Sequence, residues 1–98
     1  MKNTKKQILE KAKKILQDLK GEYYNEKDIV KITYHENDES FGAKNEIINT
    51  WIVSIDEIFD NRDFLVISDE TAEPIYYQNF NMITAEIEKN SKGKYVIK

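Results

Sequence analysis

His35, the one histidine of the chain, is followed closely by Glu36, Asp38 and Glu39. Together these residues offer the oxygen and imidazole donors that a hard divalent cation takes. The stretch lacks the spacing and central glycine of a calcium loop, and one histidine without any cysteine does not build a zinc site. Carboxylates also gather in pairs: Asp56 with Glu57, Asp60 with Asp63, and Asp69 with Glu70 and Glu73. Such groups act as general acid and base when burial or a neighbour pushes their pKa values apart. Here they fall in stretches that read as turns, where water keeps both members ionised. Asp60 and Asp69 there suit carboxylates that bond their own backbone. Gly21, Gly42 and Gly93 stand singly, so no glycine-rich phosphate loop exists. The residues describe a protein that is not an enzyme and has no metal or cofactor.

Charge points instead toward binding. Residues 1–20 hold seven lysines against Glu10 and Asp18, whereas residues 36–73 hold eleven acids against Lys44 and Arg62 alone. An acidic stretch of that kind repels nucleic acid and speeds encounter with basic protein surfaces. The helix lysines have no interleaved aromatics and Arg62 is the only arginine, which argues further against nucleic-acid readout. Tyr76 and Tyr77 add an anchor. Neighbours on a strand point to opposite faces, so one of the two tyrosines is left at the surface, where tyrosine favours protein contacts. The candidate partner-binding residues are therefore Glu36, Asp38, Glu39, Asp56, Glu57, Asp60, Tyr76 and Tyr77, and the expected partner is a basic protein.

The elements that must position these residues follow from periodicity. Thr4 and Gln7 have capping-box spacing, and Ile8, Leu9, Ala12, Ile15, Leu16 and Leu19 form the apolar stripe of a helix over 4–20. Gly21 suits its left-handed end. Alternation predicts a strand over 28–34, with Val30, Ile32 and Tyr34 on one face, then a loop over 36–46. Residues 47–55 are apolar on both faces and read as a central strand. Residues 60–63 turn into a strand over 64–67, and residues 69–74 turn into another over 75–78. Residues 79–90 fit a helix stripe or a strand. The connection Asn90-Ser-Lys-Gly93 decides for a hairpin of 82–88 with 94–98.

The sum is a single 98-residue domain of α+β class: an N-terminal amphipathic helix packed in two layers on an antiparallel sheet of about four to five strands. The sheet face away from the helix, or a pocket between helix and sheet, remains for binding. No stretch approaches a membrane span and no signal-peptide core precedes the helix, which points to a cytoplasmic protein without membrane contact.

Trp51-Ile-Val53, followed by Asp69-Glu-Thr-Ala-Glu73, resembles the paired strands of PepSY-like small domains. Ala72 stands where that family prefers glycine, and Pro74 where it prefers an aliphatic residue. The resemblance implies a helix on an antiparallel sheet and a regulator that restrains a protease. In general character the chain also resembles the bacterial immunity proteins, acidic and cysteine-free α+β domains that neutralise a toxin. That likeness implies a small inhibitor masking a basic site on its partner.

Overall fold

Thr4 caps the first helix as its spacing requires. Its hydroxyl accepts from the Gln7 backbone N–H, and the Gln7 side chain accepts from the Thr4 N–H. Helix α1 (Lys5–Lys20) ends at Gly21, whose φ of +57° carries no side-chain penalty. A helix of this length is marginal alone in water, so packing must hold it. Ile8, Ala12, Ile15 and Leu16 supply that packing, all buried against the sheet. Burying each of the larger ones contributes about 2 kcal/mol.

The computed structural model describes residues 2–38, 48–57 and 61–98, with the backbone only at Asn37 and Asp38. After two single 3₁₀ turns the chain forms β1 (Ile29–Asp38), β2 (Ile48–Asp56), β3 (Arg62–Ser68), β4 (Pro74–Gln78), β5 (Thr84–Lys89) and β6 (Tyr95–Ile97). They lie side by side in sequence order in one sheet, and every pair is antiparallel. One helix on an open antiparallel sheet is the expected α+β architecture, with six strands rather than four to five. Residues 82–88 contribute a strand and not a helix: β5 pairs with β4 on one side and β6 on the other.

Three expectations need correction. Residues 36–38 belong to β1 and not to a loop, because their backbone continues the pairing with β2 as far as Asp38 opposite Ile48. Val30 does not share a face with Ile32. The register slips between Ile29 and Lys31, leaving Ile29 packed on the core and Val30 exposed. Arg62 and Asp63 open β3 instead of forming a turn. The remainder of the expected 36–46 loop, with Glu39, and Asp60 of the expected 60–63 turn lie outside the described residues.

The core lies between α1 and the inward residues Ile32, Trp51, Val53, Ile55, Leu65 and Ile67, closed at one side by Tyr95. Central β2 carries both a buried inward row and a buried Thr50 and Ser54 on the outward row. At the β3–β4 turn Ala72 adopts φ +60°, the left-handed conformation that glycine takes freely. Replacing Ala72 by Gly relieves that strain at the cost of a little chain entropy and one half-buried methyl. We expect a net gain of about 0.5 kcal/mol, read as a higher urea midpoint. A lower midpoint would show that the methyl packing outweighs the backbone.

Candidate functional site

Helix α1 packs on one face of the sheet, and on the other Thr50, Ser54, Val66 and Ser68 are buried as well. On that second face the register lines Thr33, Ile52, Val66, Tyr76 and Glu86 in one row across five strands. The neighbouring row is Lys31, Ser54, Phe64, Gln78 and Thr84. Twist turns this surface into a groove of about 650 Å³, floored by Ile52, Phe64, Val66 and Tyr76 and walled by Lys31, His35, Arg62 and Met82. A groove of this size that sets apolar side chains among polar ones, with Thr33, Ser54 and Gln78 also in its lining, has the general make-up of a binding surface.

One end of the groove carries further apolar surface. In the β4–β5 turn the Asn79 side chain accepts from the N–H groups of Asn81 and Ile83, and Met82 takes φ +65°. A left-handed conformation at a long, non-glycine side chain is uncommon and costs energy. The turn holds Met82 and Ile83 out in solvent, 69% and 62% exposed, with Phe80 beside them. Large apolar groups held out at a turn tip mark interaction sites.

The inward side of the same strands holds a different cluster. Asp63 is only 5% exposed, and its carboxylate accepts from the Tyr77 hydroxyl at 2.5 Å and from the Phe80 N–H at 2.9 Å. Glu57 lies beside it and binds the Lys20 ammonium at 2.6 Å. Burial first, and then the neighbouring Glu57 carboxylate, push Asp63 above the usual carboxylate range. Burial also opposes the charge of Glu57, but the Lys20 ammonium and the Asp63 hydrogen bond outweigh it and hold Glu57 low. Burial and the facing carboxylates drive the Tyr77 hydroxyl strongly up. A cavity of about 280 Å³ opens here between Leu19, Lys20, Asp63, Tyr77 and Ile97. Two carboxyls with pKa values pushed apart are the ingredients of acid–base chemistry. In this chain each polar group of the cluster is bonded to another member, so the arrangement ties the helix end to β3 and β4.

The expected binding residues are therefore dispersed. Tyr76 lies on the groove floor, and Asp56 pairs at 3.2 Å with Arg62 at the end of the groove. Glu36 is exposed on edge strand β1. Glu57 and Tyr77 face the helix and belong to the inward cluster. Asp38 is described by its backbone alone, and Glu39 and Asp60 lie outside the described residues. The reading of Asp63 as a solvated turn residue is overturned. Its neighbours in alternation, Leu65 and Ile67, are core residues, and that parity was the signal for its burial. Among the described residues no group of three or more His, Asp and Glu side chains is set to hold a metal ion.

Much of the uneven charge is spent inside the chain. Lys2 pairs with Glu70, Lys11 with Glu73, Lys13 with Glu26 and Lys20 with Glu57. The basic helix thus meets acids of the sheet and its connections. Asp69, placed by sequence in a self-bonded turn, is 1% exposed and accepts instead from the N–H groups of Lys2, Asn3 and the Trp51 indole. The local turn bonds come from the Ser68 hydroxyl, which accepts from the N–H groups of Glu70 and Thr71.

Among the described residues no helix is long and apolar enough to cross a membrane. Comparison with protein-family models, curated proteins and solved structures finds no match to this chain.

Proposed function

We propose that this protein is a non-enzymatic protein-binding module of inhibitor type, which docks through the groove on the sheet face turned away from its helix. The observation that carries the reading is the groove on that face, where Ile52, Phe64 and Tyr76 are half-buried around a buried Val66, continued at one end by the exposed Met82 and Ile83. Interfaces of this kind gain affinity from a few apolar and aromatic anchors inside a polar rim. The narrower idea of an acidic cover for a basic site draws less support. Glu57 is bound to Lys20 and Asp56 to Arg62, which leaves Glu36 as the exposed acid of the expected set without an ion pair among the described residues. A regulator that meets a protease through its sheet, as the PepSY-like resemblance implies, uses the same face and is included in the proposal.

The test compares baits in a lysate of the source cell. Wild type is set against Ile52→Lys, which charges the floor, and against a Glu36→Lys/Asp56→Lys double variant, which reverses rim acids. We expect a protein retained by wild type to be lost on Ile52→Lys and kept, within about threefold, by the rim variant. Loss on the rim variant alone would restore the acidic-cover reading. Equal retention by all three baits would exclude this groove as the docking surface.

A further inference from the structure

Asp63 shares the inward parity of Leu65 and Ile67 on β3, and Tyr77 lies opposite Leu65 on β4, so both side chains face the helix. Ile97 shares the parity of buried Tyr95 on β6, and Leu19 and Lys20 come from the last turn of α1. These residues line the cavity of about 280 Å³ between the helix end and the sheet. Sites for drug-sized ligands run from about 300 to 1,000 Å³, so an occupant here is small.

The lining sorts by chemistry. Leu19 and Ile97 make an apolar wall, and Asp63 and Tyr77 a polar one. Among the described residues the cluster sets two carboxyls, Asp63 and Glu57, against the one ammonium of Lys20, which is bound to Glu57 at 2.6 Å. The nearby cations are engaged elsewhere, Arg62 with Asp56 and Lys98 with Glu86. Asp63 receives only neutral donors, the Tyr77 hydroxyl on one oxygen and the Phe80 N–H on the other. A proton relieves the excess negative charge, and burial and the Glu57 carboxyl accordingly raise Asp63. An ammonium group relieves the same excess without the proton, and each Asp63 oxygen has a second lone pair to receive it. The last turn of α1 is also the negative end of the helix dipole, where a cation is favoured. An anion would meet the carboxyls, and a metal ion needs more oxygen ligands than these walls offer.

We propose that this cavity binds a small primary alkylammonium, its charged head on Asp63 and its short hydrocarbon chain between Leu19 and Ile97. The site lies on the helix side of the sheet, apart from the docking groove, and adds a small-molecule function to the protein-binding one. Proton and ligand compete for Asp63. Binding therefore expels the proton and tightens as pH rises, while the amine, with a pKa of about 10, stays charged. Of the other groups that face Asp63, Lys20 and Glu57 stay paired and the Tyr77 hydroxyl, pushed strongly up, keeps its proton.

The test is an NMR titration of the isotope-labelled chain with n-butylammonium chloride, with 1-butanol and sodium chloride as controls. We expect saturable shifts at the Phe80 amide and the Leu19 and Ile97 methyls, with an affinity at least about tenfold above that of 1-butanol. The affinity should rise from pH 5 to pH 7.5. Asp63→Asn should abolish the preference for the ammonium over the alcohol. Ile97→Trp, which fills the cavity from a half-exposed position, should weaken butylammonium about tenfold and decides the matter even where Asp63→Asn loses its fold. Shifts that sodium chloride reproduces, binding no tighter than that of 1-butanol, an affinity that falls with pH, or indifference to Ile97→Trp would each overturn the proposal.

Discussion

Replacing Asp69 with alanine should destabilise the domain by about 3 kcal/mol or more, the largest effect expected of any polar substitution here. The carboxylate is almost wholly buried, and it collects the backbone N–H of Lys2 at 2.6 Å, that of Asn3 at 3.0 Å and the Trp51 indole N–H at 2.8 Å. The Asn3 side chain returns a bond to the Asp69 carbonyl. One residue thus fixes the segment that leads into α1, the turn after β3 and the one tryptophan of the core. Alanine leaves the indole N–H in the core without an acceptor, and that orphaned donor carries much of the cost. Asparagine should cost less, since its oxygen can still accept from the indole while its amide meets the Lys2 N–H as donor against donor. Urea unfolding followed by circular dichroism measures all of this. A double-mutant cycle with Trp51→Phe isolates the indole bond: Asp69→Ala should be about 1–2 kcal/mol milder once Trp51→Phe has removed that donor. Equal cost with and without Trp51→Phe would show that the indole bond contributes nothing.

That anchor explains which parts of the structure were legible in the sequence. Helix α1 was readable because its determinants are local: Thr4 and Gln7 are three residues apart and its apolar stripe recurs at helical spacing. The β5–β6 hairpin was readable for the same reason, since Asn90 accepts from the N–H groups of Lys92 and Lys94, and Gly93 takes φ +76° within four residues. Asp69 was not readable, because its partners Lys2 and Asn3 lie 67 and 66 positions away. A short acid in a turn has the same composition whether it bonds its own backbone or a distant one. Charge is illegible on the same ground. Lys2, Lys11 and Lys20 meet Glu70, Glu73 and Glu57 only after the sheet has brought those acids under the helix. The sheet face away from the helix sits between these cases. Alternation placed Tyr76 and Tyr77 on opposite faces, as observed. The rows that place Lys31 and Glu86 on opposite flanks depend on the register of five strands, which no local pattern prints.

The second large effect is in acid. Asp69, Asp18, Glu57 and Glu73 are each held below the usual carboxylate range. Burial works against the charge in every case. It is outweighed by N–H donors at Asp69, by Lys14 and the Tyr95 N–H at Asp18, by Lys20 and the Asp63 hydrogen bond at Glu57, and by the Tyr95 hydroxyl and Lys11 at Glu73. The folded chain therefore binds protons at these sites more weakly than the unfolded chain. Their contribution is complete above the unfolded carboxylate pKa of about 4, and it is lost as pH falls through the lowered folded values. Asp63 has the opposite sign. Its folded pKa is raised, so the stability that its protonation contributes is present below pH about 4 and lost as pH rises through the folded value. Thermal melts from pH 7 to pH 2.5 should thus show a steep fall below pH about 4, with four sites acting against one. Asp63→Asn carries no such proton. Its melting temperature relative to wild type should climb between pH 3.5 and 7, since wild type alone loses proton-linked stability over that range. Whether the variant starts above or below wild type depends on how well the amide oxygen replaces the carboxylate for the Tyr77 hydroxyl, but the slope of the difference does not. Parallel profiles would mean that Asp63 is ionised throughout, and that the contact between it and Glu57 is a repulsion the fold sustains at neutral pH.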